Sequence, residues 1–430
     1  MLKKTFPMNR KVLVIGNGGR EHALAWSLLN SSSVDLVICA PGNGGTANLE
    51  GCENRSIDVE DFSSLTKLVK EEALDFVIVG PELPLSLGIA DHFRSLDIPV
   101  FGPVQQGAQI ESSKAWAKNF FADAKIPTAA SATFTNPQMA KSYLKEKGAP
   151  IVIKADGLAA GKGVVVAMNL LEAQNAVEEL FMQGYQKLVI EEYLEGEEVS
   201  VLAVTDGEDF RLLLSAQDHK RIGQGNTGPN TGGMGAYCPS GIVNPEIEYQ
   251  IRENIFLPTL AQFKKMGIEY CGVLYAGLMV CPDGVVKILE FNCRFGDPET
   301  QAILPLLKTP LDELIVSCIM KDLRKFPQLE WHQAHSVCVI AASEGYPGKY
   351  TTGHLIEGID SLSHSDALVF QAGTILDGKN ILTDGGRVLG VTGVGIDFFA
   401  ARNQAYSTLE KISFEGMYSR PDIALKKVQS

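Results

Sequence analysis

The first hundred residues alternate short apolar runs with stretches in which apolar residues recur every three or four positions. The apolar runs predict strands at residues 11–15, 36–39, 76–79 and 100–101. The periodic stretches predict helices at residues 21–30, 62–72 and 85–96. Strands that alternate with helices form a parallel sheet, and ligands bind at the carboxyl ends of its strands. We therefore expect an α/β chain whose N-terminal domain, residues 8–107, is Rossmann-like.

A glycine-rich turn follows the first predicted strand. It lacks the third glycine of a dinucleotide fingerprint, because Glu21 stands at that position. It can still bind an anion, since the amides of Gly18 and Gly19 open a helix beside Arg20. This arrangement suits one phosphate monoester. The alternative is that the glycines only make a tight turn.

Residues 150–166 read as strand, glycine-rich turn and strand. The turn glycines Gly157, Gly161 and Gly163 permit positive φ and close backbone approach, so their amides can hold phosphate oxygens beside two lysines, Lys154 and Lys162. The segment is not a Walker loop, because its spacing differs, a glycine follows the lysine and a strand comes next. A tight hairpin with an incidental lysine is the alternative.

Residues 188–202 read as an apolar strand, an acidic connector and a second strand. Such a connector is usually a solvated edge. Between two buried strands it can instead offer backbone groups to an adenine edge and a carboxylate to ribose hydroxyls. The candidate nucleotide-binding residues are Glu191, Glu192, Leu194 and Glu198.

The strand predicted at residues 287–292 carries oxygen ligands at alternate positions. Glu290 and Asn292 share one face, whereas Ile288 and Phe291 serve the packing. Mg²⁺ takes one or two protein carboxylates and leaves its other positions to substrate phosphates and water. Further charged residues follow closely: Arg294, Asp297 and Glu299. A polar strand end would not require this cluster, so the sequence predicts a Mg²⁺ or Mn²⁺ site.

Composition limits the range of partners. The chain has 430 residues, enough for two to four domains, and a net charge of −13. This charge argues against a nucleic-acid or anionic membrane surface, because phosphate backbones require clustered lysine and arginine. The eight cysteines form no Cys-x-x-Cys pair, and no targeting signal or long apolar run is visible. We expect a cytoplasmic protein that binds small anions through local groups.

The phosphate turn, acidic connector and metal strand occur in that order, and together they resemble the ATP-grasp superfamily. Within it, the chain is similar to the phosphoribosylamine–glycine ligase family from about residue 9 to about residue 423. The two most specific segments are 227–237 and 294–301. The segments that carry the resemblance are residues 12–26, 40–46, 79–85, 154–166, 217–221, 227–237 and 294–301.

The resemblance implies three domains and a set of small-molecule partners. An ATP-grasp core at residues 108–325 would carry a mobile lid subdomain at about 126–195, and a small β-rich C-terminal domain at 326–430 would act as a cap without chemistry of its own. The partners would be ATP, glycine and 5-phosphoribosylamine, with no nucleic acid or membrane. The chain would be a monomer or a weak homo-oligomer.

The resemblance also assigns roles to residues. Gly18, Gly19 and Arg20 would hold the 5-phosphate of phosphoribosylamine, and Lys114 would be an ATP lysine. The loop-like segment 206–237 would close over glycine and an acyl phosphate. The implied catalytic residues are Lys154, Asp218, Lys220 and Arg294. The implied further substrate-binding residues are Gly232, Gly233, Met234, Arg294 and Asp297.

The chain departs from the usual ATP-grasp pattern at one position, and two other functions remain as alternatives. Many ATP-grasp enzymes have another metal carboxylate on the preceding strand, where this chain reads Tyr275-Ala-Gly. A biotin-type carboxylase would share the lid and the metal strand, although segments 217–221 and 227–237 argue against it. A nicotinamide oxidoreductase is disfavoured by the missing third glycine.

Overall fold

The computed structural model describes residues 6–158 and 163–429. Within residues 10–101, five parallel strands lie in the order β3-β2-β1-β4-β5. The predicted parallel sheet is therefore confirmed. Its elements are β1 (Arg10–Gly16), α1 (Gly19–Leu29), β2 (Val34–Pro41), α2 (Gly44–Ala47), β3 (Cys52–Asn54), α3 (Phe62–Glu71), β4 (Phe76–Val79), α4 (Glu82–Ser86), α5 (Ile89–Ser95) and β5 (Val100–Phe101).

Two boundaries differ from the predictions for a local reason. Helix α1 begins two residues before the predicted start, at Gly19, so the glycine-rich turn leads directly into its first turn. The helix predicted at residues 85–96 is two helices, α4 and α5, because Gly88 adopts a left-handed φ of 89° between them.

Two further helices, α6 (Gln105–Ser112) and α7 (Lys114–Ala124), lead into the region predicted to be the lid subdomain. Its antiparallel sheet has the order β6-β9-β7-β8. Its elements are β6 (Ser131–Phe134), α8 (Pro137–Lys147), β7 (Ile151–Ala155), β8 (Val164–Ala167), α9 (Leu170–Met182) and β9 (Leu188–Glu192). Apolar residues of α8 and α9, including Leu144 and Val177, bury a separate small core against this sheet. The lid thus has its own core.

The central sheet has the order β11-β10-β16-β17, with β17 at its edge. A π-helical turn (Arg252–Phe256) joins α10 and α11. The elements are β10 (Glu197–Thr205), β11 (Phe210–Leu212), β12 (Gln217–Asp218), β13 (Arg221–Gly223), β14 (Thr227–Asn230), β15 (Gly235–Cys238), α10 (Pro245–Ile251), α11 (Leu257–Lys265), β16 (Gly272–Val280), β17 (Val286–Asn292), α12 (Glu299–Ile303) and α13 (Leu311–Ile319).

The last hundred residues form a β-rich region, as expected. Its elements are β18 (His335–Ser343), β19 (Leu368–Gln371), β20 (Thr374–Asp377), β21 (Asn380–Thr383), β22 (Arg387–Gly395), α14 (Phe398–Leu409), β23 (Met417–Ser419) and α15 (Leu425–Gln429). The main sheet runs β12-β15-β18-β22-β19, with β23 also beside β18.

This sheet corrects the prediction of one long loop at residues 206–237. That segment contains five short strands, β11 to β15, and two of them, β12 and β15, belong to the C-terminal sheet. In β15, Gly235 is paired with Val339 of β18. The C-terminal domain therefore fixes both ends of the segment between Asp218 and Gly235. Among the described helices, none has the length and apolar character needed to cross a membrane.

Candidate functional site

From Glu290 to Asn292, the metal strand β17 has the alternation that the sequence predicts, whereas Ile288 shares the buried side with Phe291 because a bulge separates it from Glu290. Glu290 and Asn292 are half-buried, whereas Ile288 and Phe291 are at most 1 % exposed. A bulge at Leu289 interrupts the pairing with β16, so Gly277 lies opposite Glu290. Both oxygen-bearing side chains line one pocket. The charged groups around it are Glu82, Glu111, Lys114, Lys118, Lys154, Glu191 and Arg294.

Glu290 has the character of a metal ligand. Its carboxylate accepts no hydrogen bond from any residue that the structure describes. Burial acts to raise the pKa of Glu290, but the positive charges of Lys154, Lys220 and Lys114 outweigh it and lower that pKa. An ionised, half-buried carboxylate without a protein donor fits a divalent cation. No cluster of three or more His, Cys, Asp or Glu suited to a metal occurs among the described residues, so the fit rests on Glu290 and Asn292, as Mg²⁺ allows.

Arg294 is held by two carboxylates from other parts of the fold. Its Nε donates to Glu82 at 3.2 Å, and its Nη2 pairs with Glu111 at 3.0 Å. The same Nη2 lies 3.3 Å from the Asn292 oxygen. Burial acts to lower the pKa of Arg294, but the charges of Glu111 and Glu82 raise it. Arg294 thus orients Asn292, and much of its donor capacity is already used.

Sequence reasoning missed both partners of Arg294. Glu82 is on α4 of the N-terminal domain and Glu111 is on α6, far away in sequence. Glu111 also accepts the amide of Cys293 at 2.8 Å. Neither residue belongs to a local motif, so no pattern in the sequence indicates that they meet at β17.

A second charged group joins the lid to α7. The Glu191 Oε2 atom lies 3.1 Å from the amine of Lys154 and 3.2 Å from that of Lys118. Lys118 is 8 % exposed and also donates to Thr128 at 2.8 Å. Burial lowers the pKa of Lys118. The other oxygen of Glu191 is buried and has no hydrogen-bond partner within the described ranges.

Lys118 was also missed, although the sequence contains a signal for it. It follows Lys114 by four residues, so both lie on one face of α7. Lys114 was identified through the family resemblance. Its amine donates to the carbonyl of Gly157 at 2.9 Å, at the start of the predicted phosphate turn.

The phosphate turn is described only in part. Gly157 has the expected positive φ, at 120°, and open space where a Cβ would be. Gly163 is buried, and its carbonyl accepts the amide of Ala155 at 2.7 Å. Gly161 and Lys162 lie outside the described residues, so their assignment stays a prediction.

The side chains of the acidic connector lie in different environments. Glu191 faces inward, as described above, whereas Glu192 is exposed and accepts the amide of Ala130 at 3.3 Å. Leu194 is 7 % exposed. Glu198 forms an ion pair with Lys220. Of the four connector residues, only Glu191 lines the pocket.

The segment from Asp218 to Met234 is held by the C-terminal domain. The Gly232 amide donates to the hydroxyl of Tyr346 at 3.0 Å, and Arg387 donates to the Gly232 carbonyl at 2.8 Å. The side chain of Met234 is fully buried in the apolar core, so only its backbone is available to a ligand. The cap therefore contributes polar groups to the segment from Asp218 to Met234, which the sequence analysis did not anticipate.

The N-terminal glycine turn is occupied by its own acidic residue. Glu21 accepts the amide of Gly18 at 2.6 Å and the Nε of Arg20 at 2.5 Å. Its side chain fits there because Gly16 and Gly80 have no Cβ; one built on Gly80 would lie 2.0 Å from a Glu21 oxygen. The missing third glycine of the fingerprint is thus replaced by an internal carboxylate.

Asp297 joins the three predicted domains. Its carboxylate accepts the Arg20 amide at 3.3 Å and the Gln301 side chain at 2.8 Å. It also pairs with Arg387 at 3.3 Å. Burial acts to raise the pKa of Asp297, but Arg387 and Arg20 outweigh it and lower that pKa. An acidic group therefore lies at the start of α1, where a phosphate was expected.

Comparisons with known proteins agree with this architecture. Models of the N, ATP-grasp (A) and C domains of phosphoribosylglycinamide synthetase match residues 10–111, 112–300 and 336–426. Phosphoribosylamine–glycine ligases from Synechocystis and Nostoc are each 53 % identical to the chain, over 97 % of it and 99 % of their own length. The one from Vibrio parahaemolyticus is 45 % identical over 97 % of the chain and 98 % of its own length.

Solved structures agree as well. A phosphoribosylamine–glycine ligase from Thermotoga maritima has a TM-score of 0.82 at 33 % identity, covering 96 % of this chain and all of that one. A biotin carboxylase domain from Hydrogenobacter thermophilus has a TM-score of 0.72 at 16 % identity over 96 % of this chain and 92 % of that one, which shows a shared fold alone. With three domain models matched in order and relatives this similar over nearly its whole length, the chain belongs to the phosphoribosylglycinamide synthetase family.

Proposed function

We propose that the chain catalyses the ATP-dependent ligation of glycine to 5-phosphoribosylamine, giving glycinamide ribonucleotide, ADP and phosphate. The observation that carries this proposal is the carboxylate of Glu290, which has no donor among the described residues but is surrounded by three lysines beside Asn292. Such a site binds a metal and a polyphosphate together. The family and the printed names of the relatives indicate which acid and which amine react.

A divalent cation, Mg²⁺ or Mn²⁺, would be held by Glu290 and Asn292. When bound, it would neutralise charge on the phosphate oxygens. The chain's own contribution is to fix these ligands. Arg294 orients the Asn292 oxygen, and Glu82 and Glu111 hold Arg294 in place. This support explains why one amide oxygen can be a precise ligand at the end of a strand.

The nucleotide would lie between the lid and the central sheet. Lys154 and Lys114 are directed to the pocket for the phosphates, and the turn glycines Gly157, Gly161 and Gly163 together with Lys162 would complete the cradle. The connector residues Glu191, Glu192, Leu194 and Glu198 would bind the adenosine. Closing the lid would exclude water while the intermediate exists.

In the first step, a carboxylate oxygen of glycine attacks the γ-phosphorus, the bond to the β,γ-bridging oxygen breaks, and ADP leaves with that electron pair. The product is glycyl phosphate. Lys154 and Lys220 stabilise the transferring charge, and no protein nucleophile is required. In the second step, the amine of phosphoribosylamine attacks the acyl carbon, the bond from that carbon to the phosphate oxygen breaks, and phosphate leaves with the electron pair and takes up the proton that the amine loses.

Phosphoribosylamine would bind where the three domains meet. The candidate residues are Gly18, Gly19, Arg20, Gly232, Gly233 and Asp297. Asp297 touches Arg20 on one side and Arg387 on the other. A substrate at this junction would carry its amine toward the acyl carbon, because the same loop continues from Arg294 of the metal site to Asp297.

The decisive experiment measures ADP release with each substrate omitted in turn. We expect release that requires glycine, phosphoribosylamine and Mg²⁺ together, with glycinamide ribonucleotide as product. The rival carboxylase function predicts ADP release with bicarbonate. Release that depends on bicarbonate and ignores glycine would overturn the proposal.

A further inference from the structure

Two cysteines lie in contact on neighbouring strands of the N-terminal sheet. Cys39 on β2 and Cys52 on β3 place their sulfur atoms 3.7 Å apart. Cys39 is fully buried, and Cys52 is 9 % exposed. Among the described residues, no second pair of cysteine sulfurs makes such a contact. The mechanism proposed above uses neither thiol.

The strand that carries Cys52 lies at the edge of the sheet. β3 has three residues and pairs with β2 alone. The ladder pairs Val37 with Cys52 and Cys39 with Asn54, so the two cysteines are offset by two residues. Neighbouring strands lie about 4.8 Å apart and two residues span about 6.6 Å, so the Cα atoms of such a pair are farther apart than the roughly 5.5–6 Å typical of a disulfide. A bond between the sulfurs would therefore draw β3 along β2.

A shift of β3 would reach the loop between β2 and α2. Asn54 follows Cys52 by two residues, and its Nδ2 donates to the carbonyl of Asn43 at 2.8 Å. Its oxygen accepts the hydroxyl of Thr46 at 2.8 Å. The side chain of Asn43 in turn donates to the carbonyl of Asn17 at 2.9 Å. Two hydrogen bonds thus connect β3 to the glycine-rich turn, where the proposed function places phosphoribosylamine.

The two thiols have different environments. The hydrogen bond to Cys52, and next burial, raise the pKa of Cys39. Cys39 therefore keeps its proton, whereas Cys52 is the partly exposed sulfur that an oxidant reaches first.

We propose that peroxide converts Cys39 and Cys52 into a reversible disulfide that weakens the binding of phosphoribosylamine. The Cys52 thiolate attacks one oxygen of hydrogen peroxide, an S–O bond forms, the O–O bond breaks and hydroxide leaves. Cys39 then attacks that sulfur, the S–S bond forms, the S–O bond breaks, and the departing hydroxide takes up the Cys39 proton as water. The thiols lose two electrons, and peroxide is reduced to water. The effect on the substrate rests on the proposed function, whereas the disulfide does not.

The test treats the full chain with hydrogen peroxide and then reduces it with dithiothreitol. We expect peptide mapping by mass spectrometry to find residues 39 and 52 linked after oxidation. KM for phosphoribosylamine should rise about fivefold or more, the effect of one lost hydrogen bond, with KM for ATP within about twofold of the reduced enzyme. Dithiothreitol should remove the linkage and restore KM.

Variants assign the effect to this pair. Cys52→Ser and Cys39→Ala each remove one sulfur, so KM for phosphoribosylamine should no longer respond to peroxide. Cys281→Ser is the matched control, because it removes a more exposed thiol on the turn between β16 and β17. This control should respond as wild type does. Asn54→Ala breaks the bond to Asn43 without oxidation, so the reduced variant should already show the raised KM.

The outcomes are distinguishable. If the reduced wild type fails to release ADP with glycine and phosphoribosylamine, the proposed function fails, while the linkage between residues 39 and 52 still tests the disulfide. Absence of that linkage in oxidised wild type would overturn the inference. So would a linked enzyme with an unchanged KM for phosphoribosylamine, or an equal response to peroxide in Cys52→Ser. An unchanged KM in reduced Asn54→Ala would refute the coupling between the thiols and the substrate.

Discussion

The turn after β1 and the metal strand β17 both combine an acidic and a basic residue with a close-packed backbone, yet they use these groups differently. In the turn, Glu21 satisfies the amide of Gly18 and the side chain of Arg20. In the strand, Glu290 accepts nothing from the described residues, although lysines surround it. The charged side chains of the turn therefore bind one another within the fold, whereas the carboxylate of Glu290 remains available to a ligand.

This difference shows which observation separates a binding group from a structural one. Both carboxylates are conspicuous in the sequence, and both lie near glycines or lysines. They differ in the number of hydrogen-bond donors that the fold supplies to each carboxylate. Asp218 belongs with Glu290 by this criterion, because neither of its oxygens has a hydrogen-bond partner among the described residues.

The comparison predicts its largest effect at Glu290. Glu290→Gln keeps the shape but removes the charge that Mg²⁺ prefers, so we expect turnover to fall on the order of a hundredfold or more. The same substitution at Glu21 should act on the fold, lowering the free energy of unfolding by roughly 1.5–3 kcal/mol. Turnover at limiting Mg²⁺ and denaturant unfolding measure the two effects. Near-normal turnover of Glu290→Gln would exclude it as a metal ligand.

Arg20 tests whether the turn also serves a substrate. Its Nε and Nη1 donate to Glu21 and to the carbonyl of Phe295. We expect Arg20→Ala to weaken the binding of phosphoribosylamine by roughly 1.5–3 kcal/mol and to leave KM for ATP close to that of wild type. Steady-state kinetics with each substrate varied gives both constants. A rise chiefly in KM for ATP would make the N-terminal domain a nucleotide site instead.

His22 gives the structural region a pH dependence. It is buried on α1 and accepts the Gln371 amide at 2.9 Å, and burial lowers its pKa to about 4 from 6.5. Below pH 6.5 the unfolded chain therefore binds a proton that the folded chain rejects. Stability is lost as the pH falls from 6.5 to about 4, by roughly 2 kcal/mol between pH 7 and pH 5.

His22→Gln removes this titration and keeps an acceptor for the amide. The loss of melting temperature between pH 7 and pH 5 should therefore be smaller in the variant than in wild type. An equal loss in both proteins would show that His22 is not the titrating group.

The sequence predicted features that depend on neighbours along the chain. The alternation of Glu290 with buried residues and the positive φ of Gly157 are local, so they follow from residue type and spacing. Features built through space were missed. Glu82, Glu111 and Lys118 meet their partners only after the domains pack. No local pattern records such contacts.

The prediction of one long loop at residues 206–237 was wrong for a related reason. Its composition of glycine, asparagine and threonine gives little strand propensity, yet β15 becomes a strand because β18, a hundred residues later, supplies its hydrogen bonds. The same contact overturns the view of the C-terminal domain as a passive cap. Arg387 and Tyr346 reach the glycines of this segment from that domain.

The smallest predicted effect tests that last point. Tyr346→Phe removes the hydroxyl that accepts the Gly232 amide and leaves the ring in place. One net hydrogen bond contributes about 1 kcal/mol, so we expect about a fivefold rise in KM for phosphoribosylamine or glycine. The lysines of the proposed nucleotide site lie on other elements, so KM for ATP should not change. Tyr418→Phe is the control, because its hydroxyl donates to Ile222 on the exposed β13–β14 hairpin. If the two variants behave alike, the C-terminal domain supports the site only through its packing.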